Sequence, residues 1–133
     1  MEVRVLLVDD LQNMHTLLGD LFAALGRFRV VATCTTEAEA KLWLRECAGQ
    51  WDLAVVDLVL AQGSGIEVLR FSKQHCPEGR VVIFSGYASA GIKDHCLGLG
   101  ADAVFDKTQS AEFIAWLQRL GAADIPSPGP ALR

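Results

Sequence analysis

Two patterns of apolar residues take turns along the chain. Short, mostly apolar runs that read as strands occur at Val3–Val8, Phe28–Cys34, Leu53–Val56, Arg80–Phe84 and Ala101–Phe105. The third, Leu53-Ala54-Val55-Val56, is aliphatic and shows no alternation, the pattern of a strand buried on both faces of a parallel sheet covered by helices. Between these runs the apolar residues space out to helical intervals. Met14, Leu17, Leu18, Leu21, Phe22 and Leu25 predict a first helix that Gly26 stops. Thr36 with Glu39 has capping-box spacing and opens a second helix, striped by Ala40, Trp43, Leu44, Cys47 and Ala48. Ser64 with Glu67 repeats that spacing before a third helix reaching His75, which Pro77 and Gly79 break. A weaker stripe (Ile92, Cys96, Leu99) marks a fourth helix from Ser89, with Gly91 and Gly98 lowering its propensity. Ser110 is expected to cap the last helix, which carries Phe113, Ile114, Leu117 and Leu120.

Strand followed by helix, five times over, predicts an α/β fold: a doubly wound parallel sheet with helices on both faces and right-handed crossovers. The 133 residues form one domain, expected over 1–121, with a flexible tail over 122–133 where Pro126, Pro128, Gly129 and Pro130 cluster. Apolar residues make up 51% and charged residues 21%, which places the chain among globular proteins. The formal net charge of −4, with no cluster of Lys and Arg, excludes a nucleic-acid footprint. No apolar run approaches the roughly 18 residues a membrane span needs, and no leader precedes the first strand, so a cytoplasmic protein is expected. Cys34, Cys47, Cys76 and Cys96 lack CxxC spacing and are expected to be reduced, small and apolar in role.

The polar residues gather where strands must exit. Asp9 and Asp10 follow the first strand, Asp57 the third, Ser85 the fourth and Lys107 the fifth, whereas the second ends in uncharged Thr35 and Thr36. Each alone has an ordinary structural reading: a turn-forming or helix-capping Asp, a capping Ser, a solvated Lys. Together they fall at the carboxyl edge of the sheet, where open α/β folds bind ligands. Carboxylates brought together repel, by about 4 kcal/mol per pair at a spacing of ~4 Å and an effective dielectric near 20. A cation resolves that cost, and hard oxygen ligands suit Mg²⁺ or Mn²⁺ rather than zinc. A metal, the Lys107 ammonium and the Ser85 hydroxyl around one carboxylate make a cradle for a phosphoryl group, with Asp57 as the nucleophile that becomes an aspartyl phosphate.

On these residues the chain resembles the receiver domain of two-component response regulators. The resemblance rests on Leu6-Leu7-Val8-Asp9-Asp10, on Val55-Val56-Asp57 with Gly65 eight residues on, on Ile83-Phe84-Ser85-Gly86, and on Gly100 to Lys107. It covers nearly the whole chain, from Val3 to Leu120, and so implies a stand-alone receiver. The implied fold is flavodoxin-like with strand order 2-1-3-4-5. The implied chemistry is Mg-dependent acceptance of a phosphoryl group on Asp57, from a sensor histidine kinase or phosphotransfer protein. Mg²⁺ would be held by Asp10, Asp57 and the main-chain carbonyl of Val59, with Asp9 assisting through water. Lys107 would contact the phosphoryl oxygens and Ser85 would move to bond one of them. The output would be contacts with a downstream protein rather than turnover of an external substrate.

Two positions depart from the family pattern. The aromatic residue usual three places before the lysine is Val104 here, and Phe105, one place later, should face the opposite side of the sheet. Thr108 replaces the usual proline, which removes the usual cause of a cis bond after Lys107. Val59 and Tyr87 are expected to flank the phosphoryl group, and a bulky Tyr87 would shield it from water. Trp116, off the main stripe of its helix, is either an exposed contact residue or packed along its own helix surface. Rival readings are a phosphorylation-independent binding module of the same fold, a flavodoxin and an aspartate-nucleophile phosphatase. The acidic Asp9-Asp10-Leu11-Gln12-Asn13 stretch, unlike a phosphate loop, argues against the flavodoxin. Val59, in place of a second Asp, argues against the phosphatase.

Overall fold

The computed structural model describes residues 2–122, and the expected tail beyond Ala122 lies outside the described residues. The elements run β1 (Val3–Val8), α1 (Gln12–Leu25), β2 (Phe28–Cys34), α2 (Glu37–Glu46), β3 (Leu53–Val56), α3 (Gly65–His75), β4 (Arg80–Ser85), α4 (Ala90–Gly98), β5 (Ala103–Asp106) and α5 (Ser110–Ala122). All strand pairs are parallel, in the order β2-β1-β3-β4-β5. The doubly wound parallel sheet is the one expected from the sequence, and its flavodoxin-like order is the one the family resemblance implied.

The apolar runs lack alternation because both faces of the sheet are covered. Leu6, Val8, Ala54, Val56, Val81 and Ile83 pack with Ala40 and Leu44 of α2, Val68 and Leu69 of α3 and Cys96 of α4. Their neighbours Val3, Val5, Leu7, Leu53, Val55, Val82 and Phe84 pack with Leu18 and Phe22 of α1 and Phe113 and Leu117 of α5. Each fully buried aliphatic side chain contributes about 1.5–3 kcal/mol. Val104 lies on the α4 side and Phe105 on the α5 side, the opposed orientation expected.

Several local expectations change. In α1 the buried residues are His15, Leu18 and Phe22, spaced i, i+3 and i+7, while Leu17 is 61% exposed. The Thr36 cap forms, with Thr36 Oγ1 accepting from Glu39 N at 3.1 Å, but Glu39 reaches back to Thr35 N and Oγ1 instead of Thr36 N. The second box does not close: Ser64 Oγ accepts from Ile66 N, and Glu67 pairs with Arg70. β5 starts at Ala103, and Asp102 just before it bonds Val81 through both its backbone N and its carboxylate. Ser110 is the first helical residue of α5 and not its cap; Gln109 precedes it, its side-chain oxygen accepting from Asp106 N and from Lys93. Trp116 is half-buried against Phe105, so the packed alternative holds. All four cysteines are free thiols, three of them buried, and burial with nearby Glu39 pushes the Cys34 thiol up to about 11.

Candidate functional site

Parallel pairing continues one residue past the strands and places the charged residues in register. Asp9 N donates to Cys34 O of β2 (3.0 Å), Asp57 N to Val8 O of β1 (2.8 Å), and Lys107 N to Ser85 O of β4 (3.1 Å). Since Val8 is opposite Val56, Asp9 and Asp57 leave adjacent strands at one level. They continue the alternation that faces α1 and α5, and Lys107 continues the same parity from Phe105. All three side chains therefore converge. Lys107 Nζ lies 3.1 Å from Asp9 Oδ2 and 3.0 Å from Asp57 Oδ2. Asp9 and Asp57 are buried, and Asp10 is intermediate.

The two oxygens of Asp57 differ. Oδ2 is held by Lys107, whereas Oδ1 is buried with no hydrogen-bond partner among the described residues. A buried carboxylate oxygen left unpaired costs about 1–3 kcal/mol or more, and a ligand that supplies the missing partner recovers it. Carboxylate oxygens of Asp9, Asp10 and Asp57 lie within 4.8 Å of one another, a group that could hold a metal ion. An all-oxygen set with an orphaned acceptor fits a hard divalent cation.

Burial pushes the Asp9 carboxyl above its ordinary value, the bonds from Leu11 and Lys107 pulling the other way and Asp57 adding to the rise. Burial pulls the Lys107 ammonium down, but the hydrogen bonds and charge of Asp57 and Asp9 outweigh it and leave the net shift upward. One cation is thus shared by two carboxylates, and one of the two remains under-compensated.

Ser85 is fully buried on the other side of Asp57 in strand order. Its Oγ accepts from Tyr87 N at 3.2 Å, and among the described residues its O–H has no acceptor. Val59 and Tyr87 are exposed on the adjoining loops, at 45% and 65%. No peptide among the described residues is cis, so Lys107–Thr108 is trans, and Asp106 Oδ1 fixes that turn by accepting from Thr108 N and Oγ1.

The loop after β3 is held from two directions. Gly65 packs so closely on the Asp57 carbonyl that a Cβ there would collide with it, and Gly65 N donates to Leu58 O. From the far side, Glu37 N donates to Gln62 O, Ala61 N to Thr35 O, and Ser64 N to Glu37 Oε1. The sequence reading missed Glu37, which is remote in sequence from the loop it ties. It also missed His15, whose Nε2 is 2.7 Å from the Asp9 carbonyl oxygen. The spacing of His15 to Leu18 and Phe22 was the available sign that it faces inward.

No helix among the described residues is long and apolar enough to cross a membrane. A protein-glutamate methylesterase/protein-glutamine glutaminase of Treponema denticola is 33% identical over 113 residues, covering 84% of this chain and 30% of that protein. The DNA-binding transcriptional activator DevR/DosR of Mycobacterium tuberculosis is 37% identical over 87 residues, covering 65% of this chain and 39% of that protein. The chain thus spans well under half the length of either relative. Among solved structures, a LuxR-family two-component response regulator from Aurantimonas superposes with a TM-score of 0.81 at 26% identity, covering 92% of this chain and 86% of that one. The response regulator receiver domain model matches residues 5–117, and with this sheet order and this acidic edge the chain belongs to the receiver-domain family of two-component signalling.

Proposed function

We propose that Asp57 accepts a phosphoryl group from a phosphohistidine on a sensor histidine kinase or phosphotransfer protein, and that the chain signals through contacts with a downstream protein. The observation that carries this reading is the division of labour at Asp57: Oδ2 is neutralised by Lys107, while buried Oδ1 has no partner. A carboxylate oxygen of Asp57 is the nucleophile. It attacks phosphorus as the P–N bond to the donor imidazole breaks, and the imidazole leaves with that electron pair. Lys107 Nζ, already at the carboxylates, follows the charge onto the phosphoryl oxygens. Ser85 offers its unused O–H to one of those oxygens, the backbone N–H of Tyr87 holding the hydroxyl by its lone pair.

Asp10, Asp57 and the Val59 carbonyl would hold Mg²⁺ or Mn²⁺, with Asp9 assisting through water. The bound cation would supply charge neutralisation to the incoming phosphoryl oxygens. The reaction is stoichiometric acceptance followed by hydrolysis, not turnover of an external substrate, and its proposed setting is the cytoplasm. The domain proper is proposed to end at residue 121.

Incubation with a small acyl phosphate, with and without Mg²⁺, tests the reading by intact mass. One added phosphoryl group that requires the metal supports it. Labelling that ignores the metal, or that persists in Asp57→Asn, contradicts it.

A further inference from the structure

Asp9 and Asp10 are neighbours in sequence and are held very differently. Every polar atom of Asp9 has a partner: N donates to Cys34 O at 3.0 Å, Oδ1 accepts from Leu11 N at 2.9 Å, Oδ2 from Lys107 at 3.1 Å, and the carbonyl oxygen meets His15 Nε2 at 2.7 Å. The Asp10 carboxylate has no hydrogen bond or ion pair among the described residues, although it is one of the three that could hold a metal. Its place is set by the backbone alone. The peptide joining Asp9 to Asp10 is planar, so whatever fixes the Asp9 carbonyl also fixes the direction in which the chain enters Asp10.

No backbone N–H among the described residues takes up that carbonyl, and Leu11, the N-cap residue of α1, gives no side-chain cap. Instead the bond comes from His15, one turn into α1 and buried. A carbonyl oxygen only accepts, so Nε2 carries the proton. A buried imidazole has few rotamers, and Leu18 and Phe22, at i+3 and i+7 from it on α1, lie in the core. The helix therefore serves as a rigid arm that holds the Asp9–Asp10 peptide. The alternative is that His15 simply fills space in the first turn of α1, as Leu would.

We propose that His15 is a positioning residue of the metal site: its Nε2–H orients the Asp9–Asp10 peptide, and through it the Asp10 carboxylate, for divalent-cation binding. This rests on the reading of Asp9, Asp10 and Asp57 as that site. The test is Mn²⁺ binding to the unphosphorylated full chain, followed by the electron paramagnetic resonance of free Mn²⁺, together with urea unfolding in metal-free buffer. His15→Leu keeps the volume and loses the donor; His15→Gln keeps a side-chain N–H. We expect His15→Leu to weaken Mn²⁺ binding about tenfold, as loss of supporting hydrogen bonds does at metal sites, and His15→Gln to recover most of it even where both variants lower the urea midpoint alike. Wild type that binds no Mn²⁺ overturns the metal reading and this inference with it. Wild type that binds, with His15→Leu binding equally or with both variants weakened equally, overturns this inference alone. A measurement on the wild type needs no variant to fold: long-range proton–nitrogen spectra of the His15 ring should place the proton on Nε2, and a neutral ring protonated on Nδ1 alone removes the proposed donor.

Discussion

The exits of β2 and β3 stand on the same edge of one sheet and are built to opposite rules. At the β2 exit the side chains of Thr35, Thr36, Glu37 and Glu39 all find partners. Thr36 caps α2, Glu39 closes back on Thr35, and Glu37 reaches both Lys41 and the loop after β3. At the β1 and β3 exits two carboxylates are buried, share one lysine, and leave Asp57 Oδ1 with nothing. Satisfied polar groups at a helix start contribute stability and little else. A buried, half-satisfied carboxylate pair lowers stability in the resting protein and is explained by a ligand that completes it. The contrast marks the β1 and β3 exits as the candidate site on geometry alone.

Removing the shared cation should break this contrast most severely. Lys107→Met is expected to slow phosphoryl uptake from an acyl phosphate by roughly 10²–10³-fold, the cost of losing one preorganised donor to developing charge. It should also lower the urea midpoint in metal-free buffer, because it leaves two buried carboxylates without a counter-charge. Gly65→Ala attacks the β3 exit through the backbone. Its Cβ would strike the Asp57 carbonyl, so a loss of about 1–3 kcal/mol in stability, measured by urea unfolding, is expected along with impaired uptake. Thr36→Ala addresses the β2 exit and should cost about 1 kcal/mol while leaving the rate of phosphoryl uptake unchanged.

A milder effect should appear in the pH dependence. The folded-state Asp9 carboxyl is raised above its ordinary 3.8, first by burial, so its contribution to stability is fully present below that value and is lost as pH rises through the folded-state value. Asp9→Asn removes the loss. In metal-free buffer its urea midpoint should exceed that of the wild type at neutral pH, and the difference should shrink as the solution is acidified. A difference that grows on acidification would mean that the Lys107 pairing, not burial, governs Asp9.

The sheet, its order of elements and the polar strand ends were legible because burial of the central strands β1, β3 and β4 on both faces leaves largely apolar runs, and each of these three runs ends at or beside an acidic or hydroxyl residue. The Thr36 cap was legible for the same reason, its spacing being local. What escaped was chosen by tertiary contact. Leu17 fits the helical stripe of α1, but the buried position belongs to His15, a polar residue that earns its place through one bond to the Asp9 carbonyl. Ser64 and Glu67 have capping-box spacing, but the Ser64 backbone N–H is taken by Glu37 from α2, and the box stays open. Phe105 faces away from Val104, as strand alternation predicts, and it meets Phe113 and Trp116 of α5, with Phe84 of β4 stacked on Phe113.

The most direct test is to locate the modified residue. After treatment with an acyl phosphate and Mg²⁺, borohydride reduces an aspartyl phosphate to homoserine, which peptide sequencing by mass spectrometry can place. Homoserine at position 57 and nowhere else is the expected result. Homoserine at Asp9 or Asp10, or phosphate retained on a histidine or serine with Asp57 intact, would contradict the assignment of Asp57 as the phosphoryl acceptor.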